Sequence, residues 1–388
     1  MGESLCTHGA LRVAIVAPSL DILGGQAIQA KRLVDRLRDV PGVDVRFIPV
    51  NPRLPGALGR LQDIKYIRTV VTEACYLFDL LVGLRDRQVA HIFSASYFSF
   101  VLAPTPALLL SKLYRIPSVL NYRSGEAADH LRRWRLAAPT LRLARRIVVG
   151  TEYLVGVFRS HELVAETIPN IVDVERYRYR ERRPLRPLFL ANRNLEPHYA
   201  VGTVIRAFAL IRERHPDARL LIAGQGRERS SLEDLAAELA PGGVQFVGPV
   251  EPEAMRALYD RSDIYLNGSE IDNMPTSLLE AFAAGLPVVS TGAGGIPFIV
   301  RHGETGSLAL PGDFRKLADL ALELLDEPER ALEMARAARA ECVLLYTGEA
   351  VRDAWVALYR RLAEDASGDR ASVGAEDPDS AALEDTDG

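Results

Sequence analysis

The stretch SEIDNMPTSLLEAFAAGLPVVSTGAGGIP, residues 269–297, decides the fold. From Met274 to Val289 every residue is apolar, small or hydroxylic except Glu280. DIYLNGS ahead of it reads as a strand, EIDNM as a loop, and LPVVST after it as the next strand. Pro275 suits the first helical position, where its missing N–H costs nothing. The spacing predicts a helix ending at Ala284, with Gly285 as its terminating residue and Pro287 barring continuation. The stretch is therefore a strand–helix–strand unit with one acid inside its helix. Burying that carboxylate without a partner costs several kcal/mol. Glu280 either pairs with an arginine between layers or accepts hydrogen bonds from ligand hydroxyls. The free N–H groups at the start of such a helix form a ready site for a phosphate or carboxylate.

The same alternation runs outward in both directions. Upstream lie the strands PLFLAN, ARLLIAG and VQFVGPV, separated by the helices VGTVIRAFALIRERH, RSSLEDLAAEL and PEAMRALYDRS, and downstream lies GSLAL. The amino-terminal half opens with the strand LRVAIVAPS, a glycine-bearing turn and the helix IQAKRLVDRLRD, and later shows strands at VAHIFSA, IPSVLNY and RRIVVGT. Such alternation specifies α/β domains with parallel sheets covered by helices on both faces. With 388 residues, two Rossmann-like doubly wound domains facing a central cleft are expected. The boundaries read as 1–180 for the first domain, 181–345 for the second, and 346–364 for a C-terminal helix returning to the first. The seam lies near YRYRERRPLRP, residues 177–187. Residues 365–388 read as a disordered acidic tail, since they hold almost no large apolar side chains.

Composition describes a water-soluble globular chain, 48% hydrophobic. Cys6, Cys75 and Cys342 are scattered and odd in number, which argues against a disulfide framework or a zinc site. No secretory leader and no apolar run of the ~20 residues a membrane span needs is visible, so a cytoplasmic location is expected. The net charge of −4 hides an asymmetry: residues 1–186 carry 28 Lys/Arg against 17 Asp/Glu. A basic first half faces either an anionic acceptor or membrane, or simply solvent. Nothing points to nucleic acid.

Asp272 precedes Glu280 by eight positions, giving DNMPTSLLE followed by AFAAGLPVVST and GGIP. This resembles the acidic signature of the family-4 retaining glycosyltransferases. SLDILGGQAIQAKRLVDRL, IPNIVDVERY, LFLANRNLEPHYAVGTVIRAF, LLIAGQGRERSSLEDLA and FVGPV fall in the family's order, so the resemblance spans residues 11–363. It implies a GT-B fold, with a nucleotide-sugar donor (UDP- or GDP-linked) held mainly by the second domain and a hydroxyl acceptor by the first. It also implies transfer without a metal or other cofactor.

Carried over by position, Glu280 would hold the donor ribose and Asp272, where the family usually has Glu, would contact the donor sugar. Asn273, Met274, Pro275 and Thr276 would present backbone N–H groups. Arg193 would neutralise the diphosphate, helped by Gly24 and Gly25, whose missing Cβ atoms let backbone N–H groups approach a phosphate. The family's lysine five positions after Arg193 is absent: His198 stands there, then Tyr199. The family's first-domain histidine aligns with Arg123, which is a candidate to swing into the vacancy; His91 and His130 lie nearby in sequence. The missing cation keeps two alternatives open, a degenerate nucleotide-sugar-binding protein and an epimerase or hydrolase on the same fold. The apolar stretches at 56–84 and 96–110, with Arg132, Arg133, Arg135, Arg142, Arg145 and Arg146, are either core helices or a peripheral contact with a membrane at its cytoplasmic face, bearing a lipid-linked acceptor.

Overall fold

The computed structural model describes residues 10–20, 24–53 and 65–373. Two six-stranded parallel sheets organise them. The first contains β1 (Leu11–Ala17), β2 (Val43–Pro49), β3 (Val89–Phe93), β4 (Ser118–Tyr122), β5 (Arg146–Val149) and β6 (Glu166–Thr167), in the order β2-β1-β3-β4-β5-β6. The second contains β7 (Leu188–Asn192), β8 (Arg219–Ala223), β9 (Val244–Gly248), β10 (Ile264–Asn267), β11 (Val288–Thr291) and β12 (Ser307–Ala309), in the order β12-β11-β10-β7-β8-β9. The strand order reverses between β1 and β3 in one sheet and between β7 and β10 in the other. In doubly wound sheets the crevice outside the carboxyl ends of the strands at these points is where ligands bind.

The central strands are continuous apolar runs because helices cover both faces. β3, β4, β10 and β11 are buried along their whole length. β2 (VDVRFIP) went unread in the sequence because it is half exposed and carries alternating polar residues beside β1.

The helix α11 (Thr276–Ala284) ends as expected, with Gly285 in the left-handed region at φ 77°. Its start differs by one residue from the expectation. Pro275 is extended (ψ 117°) and occupies the position before the helix rather than its first turn.

The seam is anchored rather than free. Asp263, fully buried, accepts hydrogen bonds from Arg180 and from both the side chain and backbone N–H of Arg186. Arg182, also buried, donates to the carbonyls of Tyr259 and Ala284. The charges of 177–187 are thus used to fix the seam against the second domain.

The last helix, α14 (Gly348–Val373), packs Val351, Trp355, Tyr359 and Leu362 into the core of the first domain beside β1 and β3. It corrects the tail boundary: residues 365–373 extend this helix by about two turns, and only 374–388 of the expected tail lie outside the described residues. Composition averaged over the tail obscured a helix already nucleated upstream, to which each further residue adds one hydrogen bond.

Of the segment 56–84, residues 56–64 lie outside the described residues; the rest, to Gly83, is α2 (Lys65–Gly83), which buries Tyr76 and Leu80. The apolar run at 96–110 forms α3 (Phe98–Leu102) and the first part of α4 (Pro104–Leu113). No helix among the described residues is long and apolar enough to cross a membrane. Cys75 and Cys342 are free, and Cys6 lies outside the described residues.

Candidate active site

Four strand ends converge on the crevice between the sheets. β1 leads to Gly24, and α1 (Gly25–Arg38) starts there; β4 leads to Arg123, β7 to Arg193 and β10 to the loop Asp272–Pro275. Two cavities occupy the crevice. One, of about 640 Å³, lies between Gly24–Gly25 and the second domain's Asn192–Asn194, Gly224–Gly226 and Pro249–Val250. The other, of about 360 Å³, is lined by Arg123, His198, Tyr199 and residues 271–277. Both are lined by Gly25 and Arg193, so the two cavities meet at these residues.

Arg193 is largely buried. Its Nη2 donates to Asp272 Oδ2 at 2.5 Å and its Nη1 to Ser277 Oγ at 3.3 Å, while its Cζ lies 4.1 Å from the centre of the Tyr199 ring. Nε is buried and donates to nothing among the described residues. Burial opposes the charge of this arginine, but Asp272 and the neighbouring tyrosines outweigh it and hold its pKa above the ordinary value. Gly224 is required here: at φ 144°, a Cβ would come within 2.2 Å of the Arg193 carbonyl oxygen.

Asp272 also accepts from its neighbour's backbone N–H, Asn273 N, at 3.0 Å. Gly294, at φ 53°, lets this loop pass, since a Cβ would meet the Asp272 carbonyl oxygen at 2.0 Å. Asn273 is buried, accepting from Thr151 Oγ1 at 2.5 Å, and Met274 O accepts from Asn170 Nδ2 at 2.8 Å. These bonds tie the loop to the first domain. Thr276 and Ser277, in the first turn of α11, line the smaller cavity. His198 lies against Tyr199, ring centres 4.1 Å apart, and its carbonyl accepts from Glu270 and Ile271 N–H.

Glu280 lines neither cavity and is paired between the domains. Its Oε1 lies 3.1 Å from Arg32 Nη2, and its Oε2 accepts from Tyr259 OH at 3.1 Å. Arg32 also meets Asp173 at 3.1 Å and the carbonyl of Ile171 at 2.8 Å. Of the two roles open to this acid in the sequence, the pairing with an arginine between layers is present in the structure. An ionised carboxylate has about four acceptor positions, so Arg32 and Tyr259 leave room for others. Glu280 keeps a side-chain exposure of 12%.

Gly24 is extended (φ −167°), and a Cβ at Gly24 or Gly25 would meet no protein atom within 4 Å. The open space over these glycines belongs to the cleft. Arg123 is held by Asn121 and Asn170 and does not reach toward Arg193 to replace the missing lysine. Swinging there would break both bonds. His91 and His130 are buried within the first domain, bonded to Asn121 and to Tyr122 respectively, and neither lines the cavities.

Residues 175–341 match the family described as glycosyl transferases group 1. That match takes in all six strands of the second sheet. It is 32% identical over 202 residues to a GDP-mannose-dependent monoacylated alpha-(1-6)-phosphatidylinositol monomannoside mannosyltransferase of Corynebacterium glutamicum, covering 47% of this chain and 52% of that protein. It is 29% identical over 280 residues to the glycogen synthase of Mycobacterium tuberculosis, covering 66% of each. The chain thus spans between half and two thirds of the length of these curated relatives. Among solved structures it resembles sucrose-phosphate synthase from Thermosynechococcus elongatus, with TM-score 0.72, 20% identity and 90% and 98% of the two chains covered. It also resembles Anabaena HepE in complex with UDP and glucose, with TM-score 0.68, 17% identity and 90% and 99% covered. These likenesses identify the fold as GT-B.

Reading the sequence missed four residues of this candidate site: Arg32, Asn170, Tyr259 and Ser277. Arg32 had a local signal, standing seven residues after Gly25 on the same helical face. Tyr259 had none, because its contacts with Asn192 and Glu280 are set only by packing.

Proposed function

We propose that this protein is a retaining glycosyltransferase, moving a sugar from a UDP- or GDP-linked donor to a hydroxyl acceptor without a metal. The observation that carries the reading is the meeting of two cavities at Gly25 and Arg193, beside the N-terminus of α11. The nucleoside fills the larger cavity, the diphosphate lies at the junction, and the sugar fills the smaller one. The bond between sugar C1 and the diphosphate oxygen breaks, and the acceptor oxygen bonds C1 on the same face. The departing phosphate oxygen takes the acceptor's proton. Charge growing on that phosphate is stabilised by Arg193, the N–H groups opening α11 and those of the Gly24–Gly25 loop. One preorganised donor of this kind is worth ~3 kcal/mol. Glu280 accepts from the ribose hydroxyls while Arg32 and Tyr259 fix its orientation.

The acceptor approaches from the first domain, where Val70, Phe78 and Leu81 of α2, Phe98 of α3, and Leu109 and Leu113 of α4 are exposed. This supports a lipid-linked acceptor met at the cytoplasmic face of a membrane. Two observations favour a second reading, a nucleotide-sugar-binding protein without turnover. Asp272 already neutralises Arg193, and His198 stands in place of the expected lysine.

A panel of UDP- and GDP-sugars with the full chain separates the two. A thermal shift followed by formation of an α-linked product in the presence of EDTA supports retaining, metal-independent transfer. A shift with no product from any acceptor, lipid-linked ones included, supports the binding reading. No shift with any nucleotide rejects both.

A further inference from the structure

Of the arginines at the cleft, Arg32 is paired with Asp173 and Glu280, Arg193 with Asp272, and Arg229 with Glu233. Arg123 has no carboxylate partner. Its Nε donates to Asn121 Oδ1 and its Nη1 to Asn170 Oδ1 at 3.2 Å, both neutral amide oxygens, and Nη2 donates to nothing among the described residues. Glu126 and Asp272 share the cavity wall with it, yet neither pairs with it. Burial without a counter-charge pulls the Arg123 pKa down to about 9. A guanidinium keeps its proton in proteins, so this position carries an unmet demand for an anion.

The group is held in place. Asn121 is bonded in turn to His91 at 3.0 Å, and His91 to Tyr359 of α14. Asn170 is bonded to the carbonyl of Met274. Gly150 leaves the space the guanidinium occupies, since a Cβ there would lie 3.1 Å from Arg123 Nη1 and 3.1 Å from Asn273 Nδ2. A fixed, uncompensated fork inside a ligand cavity is preorganised for a planar anion. Arg123 lines the smaller cavity and not the larger, so the anion it meets is on the sugar side of the diphosphate.

We propose that the smaller cavity takes a sugar bearing a carboxylate, with Arg123 as the residue that selects it, so that the donor is a nucleoside-diphosphate uronic acid. This rests on the glycosyltransferase reading and narrows its substrate class. The alternative source of an anion, a phosphate or carboxylate on the acceptor, enters that cavity only after the donor is seated.

Calorimetry on the full chain tests it with UDP, GDP and matched donor pairs: UDP-glucose against UDP-glucuronate, and GDP-mannose against GDP-mannuronate. The wild-type protein should bind the uronate of the accepted nucleotide roughly 10- to 100-fold more tightly than its neutral partner, the range for one charge-assisted contact. Arg123→Gln should abolish that preference while leaving UDP or GDP affinity nearly unchanged. The wild-type comparison stands even if the variant folds poorly. Equal or tighter binding of the neutral sugar overturns the proposal and leaves the glycosyltransferase reading intact. So does loss of UDP or GDP binding in a folded Arg123→Gln protein, which would make Arg123 a diphosphate ligand. A neutral donor whose turnover in Arg123→Gln changes only in acceptor KM also overturns it. Failure of every nucleotide to bind removes the underlying reading as well.

Discussion

Arg193→Ala removes the cation at the junction of the cavities and also strands the Asp272 carboxylate, only 10% exposed, beside the place a diphosphate must occupy. Two penalties add. Hydrogen bonds from a charged donor are worth about 1.5–3 kcal/mol. A stranded carboxylate ~6 Å from a phosphate charge repels it by ~0.7 kcal/mol in bulk water and by ~3 kcal/mol at an effective dielectric of ~20. Together, ~2–6 kcal/mol, they weaken UDP or GDP binding by roughly 30- to 10⁴-fold, at ~1.4 kcal/mol per factor of ten. Turnover falls further, because the contact strengthens as the leaving phosphate gains charge. The double variant Arg193→Ala/Asp272→Ala lacks the repulsion and should regain ~1–2 kcal/mol, binding the nucleotide more tightly than Arg193→Ala alone. Asp272→Ala alone leaves Arg193 uncompensated and should bind the diphosphate at least as well as wild type while losing turnover. Arg193→Lys restores the charge but not the fork, and recovers only part of the affinity. Titration calorimetry at fixed ionic strength reads all four. A double variant as weak as Arg193→Ala refutes the reasoning about Asp272; wild-type affinity in Arg193→Ala refutes the location of the diphosphate.

Glu280→Gln should weaken UDP or GDP binding by ~1–3 kcal/mol, since an amide replaces one acceptor oxygen by a donor facing the ribose hydroxyls. Unchanged affinity in a folded variant removes Glu280 from the ligand and leaves it as a partner of Arg32 and Tyr259. His198→Lys, placed against Tyr199 at the cavity wall, should strengthen nucleotide binding by ~0.5–1 kcal/mol at low salt and lose the gain in high salt; an effect insensitive to salt argues against a charge at the phosphate. The Asp263 carboxyl gives a stability test. Burial alone would raise its pKa, but hydrogen bonds from Arg186 and Arg180 overcome this and hold it below the ordinary carboxylate value. A depressed native pKa contributes stability above the unfolded value, about 4, and loses it as pH falls through the native one. Asp263→Asn should therefore cost ~3 kcal/mol in urea unfolding at pH 7 and progressively less below pH 4; a pH-independent loss would contradict this.

The unit at 269–297 was legible because independent signals agreed: an apolar strand, a proline at the helix start, a glycine and a proline at its end. The structure departs there only by one residue at Pro275. Where signals were averaged or divided, reading was poorer. β2 presents one face to solvent, and its alternation lacked the apolar run that marked the other strands. Residues 365–373 are polar in composition but inherit a helix from Trp355 and Tyr359, whose burial lies one to three turns earlier. The seam's arginines showed no partner in the sequence because their carboxylate, Asp263, stands some 80 positions away.

The candidate site divides along the same line. Sequence could name Arg193, Asp272 and Glu280; it treated the first two as facing a ligand and left the third between a ligand and an unnamed arginine. It could not show that Arg193 and Asp272 face one another, nor that Glu280 faces Arg32, since those pairs join segments 79 and 248 residues apart. The helical register held a trace of the second pair. Gly25, Gln29, Arg32 and Arg36 recur at spacings of four, three and four, which places them on one face of α1. A buried helix face is ordinarily apolar, so a polar one demands partners on the element it packs against. Gln29 bonds both the N–H and the carbonyl of Ile171, Arg32 meets Asp173 and Glu280, and Arg36 meets Asp173 and Glu349. These partners lie on the two segments where the chain passes between domains and on α11. The acid in α11 therefore has a structural duty whatever it binds. With Arg32 and Tyr259 occupying one position on each oxygen, the carboxylate is fixed before any ribose arrives, and the ordering that a free glutamate would lose on binding is already spent in the fold.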